Sequence, residues 1–184
     1  MLHYRLHADP KSSHQQIAHV IRRLGRGPIL DVGAAQGFLG QILQGSGLTI
    51  DAIEPNETWA EHAAPYYRQV WPATVEQAPL PARTYRVIVC ADVLEHTADP
   101  AAVLRSLCGV ATEDATFVIS VPNVAHIAVR LLLLMGQFPK MERGILDRTH
   151  LQFWTRRTFA TLLREVGLEP VRVRPTPFPL DELW

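Results

Sequence analysis

Two carboxylates and a glycine-rich turn near the start of the chain have the spacing of a nucleotide-binding unit. Residues 28–38 read Pro-Ile-Leu-Asp-Val-Gly-Ala-Ala-Gln-Gly-Phe, so an apolar run reaches Asp31 and a turn with two glycines follows. A second apolar run, residues 48–53, ends at Glu54. In a βαβ unit, an acid after the second strand accepts hydrogen bonds from the ribose hydroxyls of a nucleotide. The pattern therefore predicts that Glu54 binds a ribose; a surface carboxylate is the alternative.

The positions of the glycines narrow the class of nucleotide. A dinucleotide fingerprint has glycines at positions 33, 35 and 38, but here the third of these is Phe38. Its ring would block the close helix–strand packing and the approach of a pyrophosphate. A dinucleotide-dependent oxidoreductase therefore stays a disfavoured alternative.

Two further segments carry side chains suited to acid–base chemistry. Residues 87–96 read Val-Ile-Val-Cys-Ala-Asp-Val-Leu-Glu-His, and residues 147–154 read Asp-Arg-Thr-His-Leu-Gln-Phe-Trp. They contain His96 and His150, and an imidazole can exchange protons near neutral pH. Either histidine could be a general base, and a packing or capping role is the alternative for each. The remaining histidines, including those at 3, 7, 14 and 19, lack a supporting cluster of acids or cysteines, so we predict no metal site.

Strands and helices alternate along the chain. Such alternation predicts an α/β fold with a doubly wound, mostly parallel sheet, whose ligands bind at the carboxyl ends of the strands. The predicted strands are 29–32, 48–53, 70–75, 87–90, 116–121 and 168–173, and the predicted helices include 12–25, 37–43, 100–109, 124–134 and 155–166.

The segments 29–37, 87–96 and 147–154 together resemble the class I S-adenosylmethionine (SAM)-dependent methyltransferases. The likeness is greatest to the group that contains the ubiquinone-type O-methyltransferases, and it covers about residues 13–173. It implies a Rossmann-like fold, SAM as cofactor with S-adenosylhomocysteine as product, and methyl transfer to a small-molecule acceptor, most often to oxygen.

The resemblance also implies roles for individual residues. Asp31 would lie near the methionine ammonium, and Glu54 would bind the ribose hydroxyls. The glycine turn would let backbone approach the sulfonium without a Cβ clash. The implied cofactor-binding residues are Asp31, Gly33, Ala34, Ala35, Gly37, Phe38, Glu54, Pro55, Asn56, Thr74, Val75, Glu76, Ala91 and Asp92, and the implied catalytic residues are His96 and His150.

Two positions depart from the family pattern. An Asp that usually contacts adenine is Thr74 here, so either Glu76 replaces it or the backbone of Val75 contacts the base. Ala35 stands where a glycine is usual, and its methyl group is tolerable only if φ stays negative. These departures leave a non-catalytic SAM-binding regulatory or partner module as the alternative function.

Composition predicts a single soluble domain over residues 1–184. Basic and acidic residues balance at 18 each, which gives no electrostatic reason to expect nucleic acid as a partner. The longest apolar run, 127–135, contains Arg130 and is too short to cross a bilayer. A polar N-terminus without a signal peptide predicts a cytoplasmic location. We expect residues 123–150 to cover the acceptor site.

The C-terminal residues predict that the regular seventh strand of the family is missing. That strand would lie inside the sheet and would need N–H donors on both sides, which Pro175, Pro177 and Pro179 lack. We therefore expect a sheet of the six strands given above. The tail would pack as an extended segment or complete itself against a second copy of the chain, and the apolar residues in 178–184 would favour such a homodimer.

Overall fold

A parallel five-stranded sheet organises the fold. The computed structural model describes residues 12–176. The strands are β1 (Ile29–Val32), β2 (Ile50–Ile53), β3 (Gln69–Trp71), β4 (Tyr85–Ala91) and β5 (Ala111–Ser120). They lie in the order β3-β2-β1-β4-β5, and every neighbouring pair is parallel. This confirms the predicted α/β, doubly wound, Rossmann-like class.

Helices alternate with most of the strands, as the sequence predicts, but among the described residues no helix separates β3 from β4, and two helices follow β5. They are α1 (Ser13–Leu24), α2 (Phe38–Leu43), α3 (Glu57–Ala63), α4 (Pro100–Val110), α5 (Ile127–Leu134) and α6 (Arg156–Glu165). Helix α1 begins where the hydroxyl of Ser12 accepts a hydrogen bond from the N–H of Gln15, and it ends at Gly25, which adopts a left-handed conformation. Within residues 12–176 no helix has the length and apolar content that a membrane span requires.

The residues group into two compact units. Of the described residues, the sheet unit contains 12–91 and 105–120, and the second unit contains 92–104 and 121–176. In the sheet unit, β1 and β2 are buried along their whole length, as parallel strands covered on both faces must be. The register pairs Val32 with both Ile53 and Cys90. The carboxyl ends of β1, β2 and β4 therefore meet at one edge of the sheet.

The predicted sixth strand is wrong. Residues 168–176 form neither helix nor strand, and the side chain of Val171 is 90% exposed. Alternating apolar residues give a segment strand propensity, but a strand forms only when a neighbour supplies hydrogen-bond partners. In the described residues β5 forms an edge of the sheet and pairs with no strand but β4. Pro177, Pro179 and the apolar tail 178–184 lie outside the described residues.

The predicted third strand is shorter than expected. It spans Gln69–Trp71 rather than 70–75, because Pro72 follows it and has no N–H for the ladder. Residues 74–77 form a turn instead, in which the carbonyl of Thr74 accepts hydrogen bonds from the N–H groups of Gln77 and Ala78.

We predict that Gly40→Ala destabilises the protein by about 1–3 kcal/mol, the usual cost of overpacking. A Cβ at position 40 would lie 2.7 Å from Cζ of Tyr67 and 2.9 Å from Cβ of Tyr66. The ring of Tyr67 cannot simply move away, because its hydroxyl accepts a hydrogen bond of 2.9 Å from the N–H of Gly40. Urea denaturation measures the change.

The matched control is Gly109→Ala in α4. A Cβ there would meet open space, so we expect a gain of about 0.5–1 kcal/mol from the better helix former. Equal stability of Gly40→Ala and the wild-type protein would contradict the packing described for α2.

Candidate functional site

Glu54 connects the glycine turn to the end of β2. Its carboxylate is buried, with Oε2 accepting a hydrogen bond of 2.8 Å from the N–H of Ala35 and Oε1 accepting one of 2.9 Å from the N–H of Asn56. The N–H groups of Gly33 and Ala34 both donate to the carbonyl of Ile53. Each carboxylate oxygen keeps a second lone pair, so Glu54 can still accept two hydroxyl protons from a ligand.

The turn itself requires left-handed backbone at three positions. Gly33 has φ of +70°, Gly37 has +86°, and Ala35 has +47°. The condition that the sequence analysis set for Ala35, a negative φ, is therefore not met. In this left-handed conformation the N–H of Ala35 points at the carboxylate of Glu54. The conformation costs about 1–2 kcal/mol for a residue with a Cβ.

Asp31 lies in β1, before the glycine turn, and is almost completely buried. Its Oδ2 accepts a hydrogen bond of 2.6 Å from the hydroxyl of Tyr67. Burial raises the pKa of Asp31 from 3.8 to about 7; the hydrogen bond from Tyr67 opposes this shift, and the nearby charge of Glu54 adds to it. A buried carboxylate without a cation is costly, and a ligand ammonium would supply the missing charge.

Sequence reasoning missed Tyr67. The same hydroxyl that donates to Asp31 accepts from the N–H of Gly40, so it links β1 to the first turn of α2. Burial and the neighbouring Asp31 raise the pKa of Tyr67 well above its usual range, so the phenol stays protonated and remains a donor. Because residues 31 and 67 meet only through tertiary packing, no local signal could have identified this contact.

The other predicted cofactor-binding residues lie on several elements. Phe38 is buried at the start of α2, and Asn56 caps α3 by accepting a hydrogen bond of 3.0 Å from the N–H of Trp59. Pro55 and Glu76 are exposed, and Thr74 and Val75 lie in the turn after β3. Ala91 ends β4. Asp92, the first residue of the second unit, has φ of +55°.

The second unit brings both predicted catalytic histidines together. The ring centroids of His96 and His150 lie 4.8 Å apart in an edge-to-face arrangement. The hydroxyl of Thr149 lies 3.2 Å from Nδ1 of His96 and donates a bond of 2.7 Å to Oδ1 of Asp147. Nδ1 of His150 lies 3.1 Å from the carbonyl oxygen of Ile145. Burial lowers the pKa of His150, and the neighbouring His96 lowers it further.

Asp147 and Thr149 are absent from the residues that the sequence singles out, although their motif was recognised. An Asp followed two positions later by Thr is typical of a turn in which the acid accepts from the later N–H. The structure has this turn: the N–H of Thr149 donates a bond of 2.8 Å to Oδ1 of Asp147. The local spacing could thus have revealed the turn, but not its contact with His96.

Glu95 is a second acid to which the sequence analysis gave no role. Only 1% of the residue is exposed, and neither carboxylate oxygen has a hydrogen-bond partner. Burial raises the pKa of Glu95 to about 8, and the charges of Asp92 and Asp147 add to this shift. A carboxylate oxygen of Glu95 and a ring nitrogen each of His96 and His150 lie within 4.8 Å of one another. Among the described residues, these three side chains could hold a divalent cation, although we predicted no metal site.

Comparison with known proteins identifies the family of this chain. The sequence model of a methyltransferase domain matches residues 4–173. A ubiquinone biosynthesis O-methyltransferase of Actinobacillus pleuropneumoniae is 28% identical over 124 residues, which cover 60% of this chain and 52% of that protein. The chain spans about half the length of the curated relatives it matches.

Solved structures share the fold. A 1,6-didemethyltoxoflavin N1-methyltransferase of Burkholderia thailandensis, solved with S-adenosylhomocysteine and its acceptor, gives a TM-score of 0.69 at 19% identity, covering 91% of this chain and 72% of that one. A magnesium protoporphyrin IX methyltransferase of Synechocystis PCC 6803, solved with S-adenosylhomocysteine, gives 0.68 at 17% identity, covering 90% and 78%. Likeness at these identities establishes the architecture.

Proposed function

Because this chain belongs to the methyltransferase domain family, we propose that it is a SAM-dependent methyltransferase acting on an oxygen atom of a small-molecule acceptor. The observation that carries the proposal is the carboxylate of Glu54, held between the N–H groups of Ala35 and Asn56 at the carboxyl edge of the sheet. A ribose with two free hydroxyls is the group that such a buried, doubly anchored acceptor fits. The ubiquinone biosynthesis relatives support oxygen as the receiving atom.

Asp31 would hold the other end of the cofactor. The methionine moiety of SAM carries an ammonium, and Asp31 offers a buried carboxyl that lacks a cationic partner among the described residues. Backbone N–H groups at the start of α2 suit the ligand's carboxylate.

Methyl transfer then needs little from the protein beyond positioning. SAM supplies an activated methyl group on a sulfonium, which is a good leaving group. The protein would have to hold an acceptor oxygen nearly in line with the C–S bond, so that the new O–CH3 bond could form as the C–S electron pair goes to sulfur. A hydroxyl acceptor also loses its proton, and a histidine base would contribute about 10²–10⁴ in rate. His96 and His150 are the proposed candidates for that base.

A thermal shift with three ligands tests the proposed cofactor. We expect SAM and S-adenosylhomocysteine at about 100 times Kd each to add about 2.7 kcal/mol to the free energy of unfolding, and NAD to add nothing. A larger shift with NAD would overturn the proposal. Formation of S-adenosylhomocysteine with any hydroxyl acceptor separates an enzyme from a non-catalytic SAM-binding module.

We further predict that residues 123–150 become protected when an acceptor and S-adenosylhomocysteine bind. The segment contains α5, whose side chains of Ile127, Leu131 and Leu134 are exposed, the last by 83%. Gly136 and Gly144 both adopt positive φ and can serve as hinges. Hydrogen exchange with and without ligands measures the effect, with α1 as the internal control. Strong, equal protection in both states would show a fixed helix rather than a cover.

A further inference from the structure

The hydroxyl of Thr149 has one proton and two partners. It lies 2.7 Å from Oδ1 of Asp147 and 3.2 Å from Nδ1 of His96. Oδ1 of Asp147 is the acceptor in the shorter contact, so the hydroxyl proton goes to Asp147. The oxygen of Thr149 must then accept in its contact with His96. Nδ1 of His96 therefore carries a proton, and in the neutral ring Nε2 holds the lone pair.

His150 has the same tautomer for a different reason. Its Nδ1 lies 3.1 Å from the carbonyl oxygen of Ile145, which can only accept. Both imidazoles thus keep Nε2 free to take a proton, but their supports differ. The hydrogen bonds from Nδ1 of His96 lead through Thr149 to the carboxylate of Asp147, which stabilises a positively charged ring. Nδ1 of His150 instead contacts a neutral carbonyl group.

We infer that His96 is the general base and that Thr149 and Asp147 are its positioning residues, forming an Asp147–Thr149–His96 relay. This inference rests on the proposed function in naming the reaction, but the tautomer stands independently of it. As the acceptor oxygen bonds to the methyl carbon, its proton passes to Nε2 of His96. The resulting imidazolium is stabilised through Thr149 by Asp147, and because His96 is exposed, the proton then leaves to solvent.

If the relay is present, the tautomer of His96 depends on Thr149, whereas a threonine with only a structural role would leave that tautomer unchanged. A free neutral imidazole in water favours the tautomer with the proton on Nε2, so the proposed arrangement reverses the ordinary preference. Long-range proton–nitrogen correlation spectra of protein with ¹⁵N-labelled histidine distinguish the two tautomers. They are recorded near pH 8.5, where imidazoles are neutral, with a chelator present to exclude cations. His96→Gln assigns the signal.

The spectrum of the wild-type protein alone tests which ring nitrogen of His96 carries the proton. We expect Nδ1 of His96 to carry the proton, and a proton on Nε2 would overturn the relay. In Thr149→Val, which keeps the shape but removes the hydroxyl, the tautomer should revert to Nε2–H, and Thr149→Ser should restore Nδ1–H. Retention of Nδ1–H in folded Thr149→Val would also overturn it.

Kinetics supply the second readout. We expect kcat of Thr149→Val to fall at least about 10-fold, part of the range for a general base, with KM for SAM unchanged, and Thr149→Ser to recover most of the rate. An unchanged kcat in Thr149→Val would show that the relay does not act in the reaction. Absence of any methyl transfer by the wild-type protein would instead overturn the proposed function, and the tautomer result would stand.

Discussion

Glu54→Gln is expected to weaken SAM binding about 10- to 150-fold. Hydrogen bonds to a charged group contribute about 1.5–3 kcal/mol, and the substitution removes the charge while keeping the shape of the side chain. The amide also cannot accept from both Ala35 and Asn56, because one of its two terminal atoms is a donor. The glycine turn, which we propose to contact the cofactor, would therefore lose one anchor as well. Calorimetric titration with S-adenosylhomocysteine measures the change.

The matched control is Glu57→Gln. Glu57 is exposed in the first turn of α3, three residues from Glu54, so the variant changes the net charge equally without touching the turn. We expect its affinity to equal that of the wild-type protein. If Glu54→Gln also kept wild-type affinity, Glu54 could not be the ribose ligand.

Asp31→Asn is expected to stabilise the ligand-free protein at pH 8 while abolishing most SAM binding. Asp31 has a folded-state pKa of about 7 against an ordinary value of 3.8. The folded state therefore retains a proton that the unfolded state has released. The stability tied to this group is complete at low pH and declines as the pH rises to about 7. At 1.36 kcal/mol per pKa unit the full penalty above pH 7 is at most ~4 kcal/mol, which the neutral amide avoids.

Urea denaturation of both proteins at pH 5 and pH 8 tests the sign. The stability of the wild-type protein should fall more between these pH values than that of Asp31→Asn, because only the wild-type protein has the Asp31 carboxyl. The pKa of Glu95 is raised in both proteins, so its contribution cancels in the comparison. Asp51→Asn is the contrast, since Asp51 is equally buried but accepts from Arg68 and Tyr85. We expect that variant to be destabilised. A loss of stability in Asp31→Asn at pH 8 would contradict the destabilising burial of an Asp31 carboxylate that has no cationic partner among the described residues.

The opposite effects expected of Asp31→Asn on stability and on SAM binding have one cause, the ammonium of the proposed cofactor. A bound ammonium favours the ionised form of Asp31, so SAM affinity should rise with pH up to about 7 in the wild-type protein. The same carboxyl that weakens the empty fold would strengthen the complex, because only the complex provides a cation.

The sequence by itself determined the elements that local pattern controls. The apolar runs before Asp31 and Glu54 became β1 and β2, and the glycines between them formed the turn, because burial on both faces and left-handed backbone leave direct signatures in residue type. A segment such as 168–173 has a similar pattern but no partner strand, and pairing is not a local property.

Tertiary structure alone decided what the charged side chains do. Tyr67 reaches Asp31 across 36 residues, and Thr149 reaches His96 across 53. The burial of Glu95, which leaves both of its oxygens without partners, likewise depends on elements distant in the chain. Residue types indicate which side chains are able to exchange protons. Their pKa values and tautomers depend on desolvation and on partners that only the folded chain brings together.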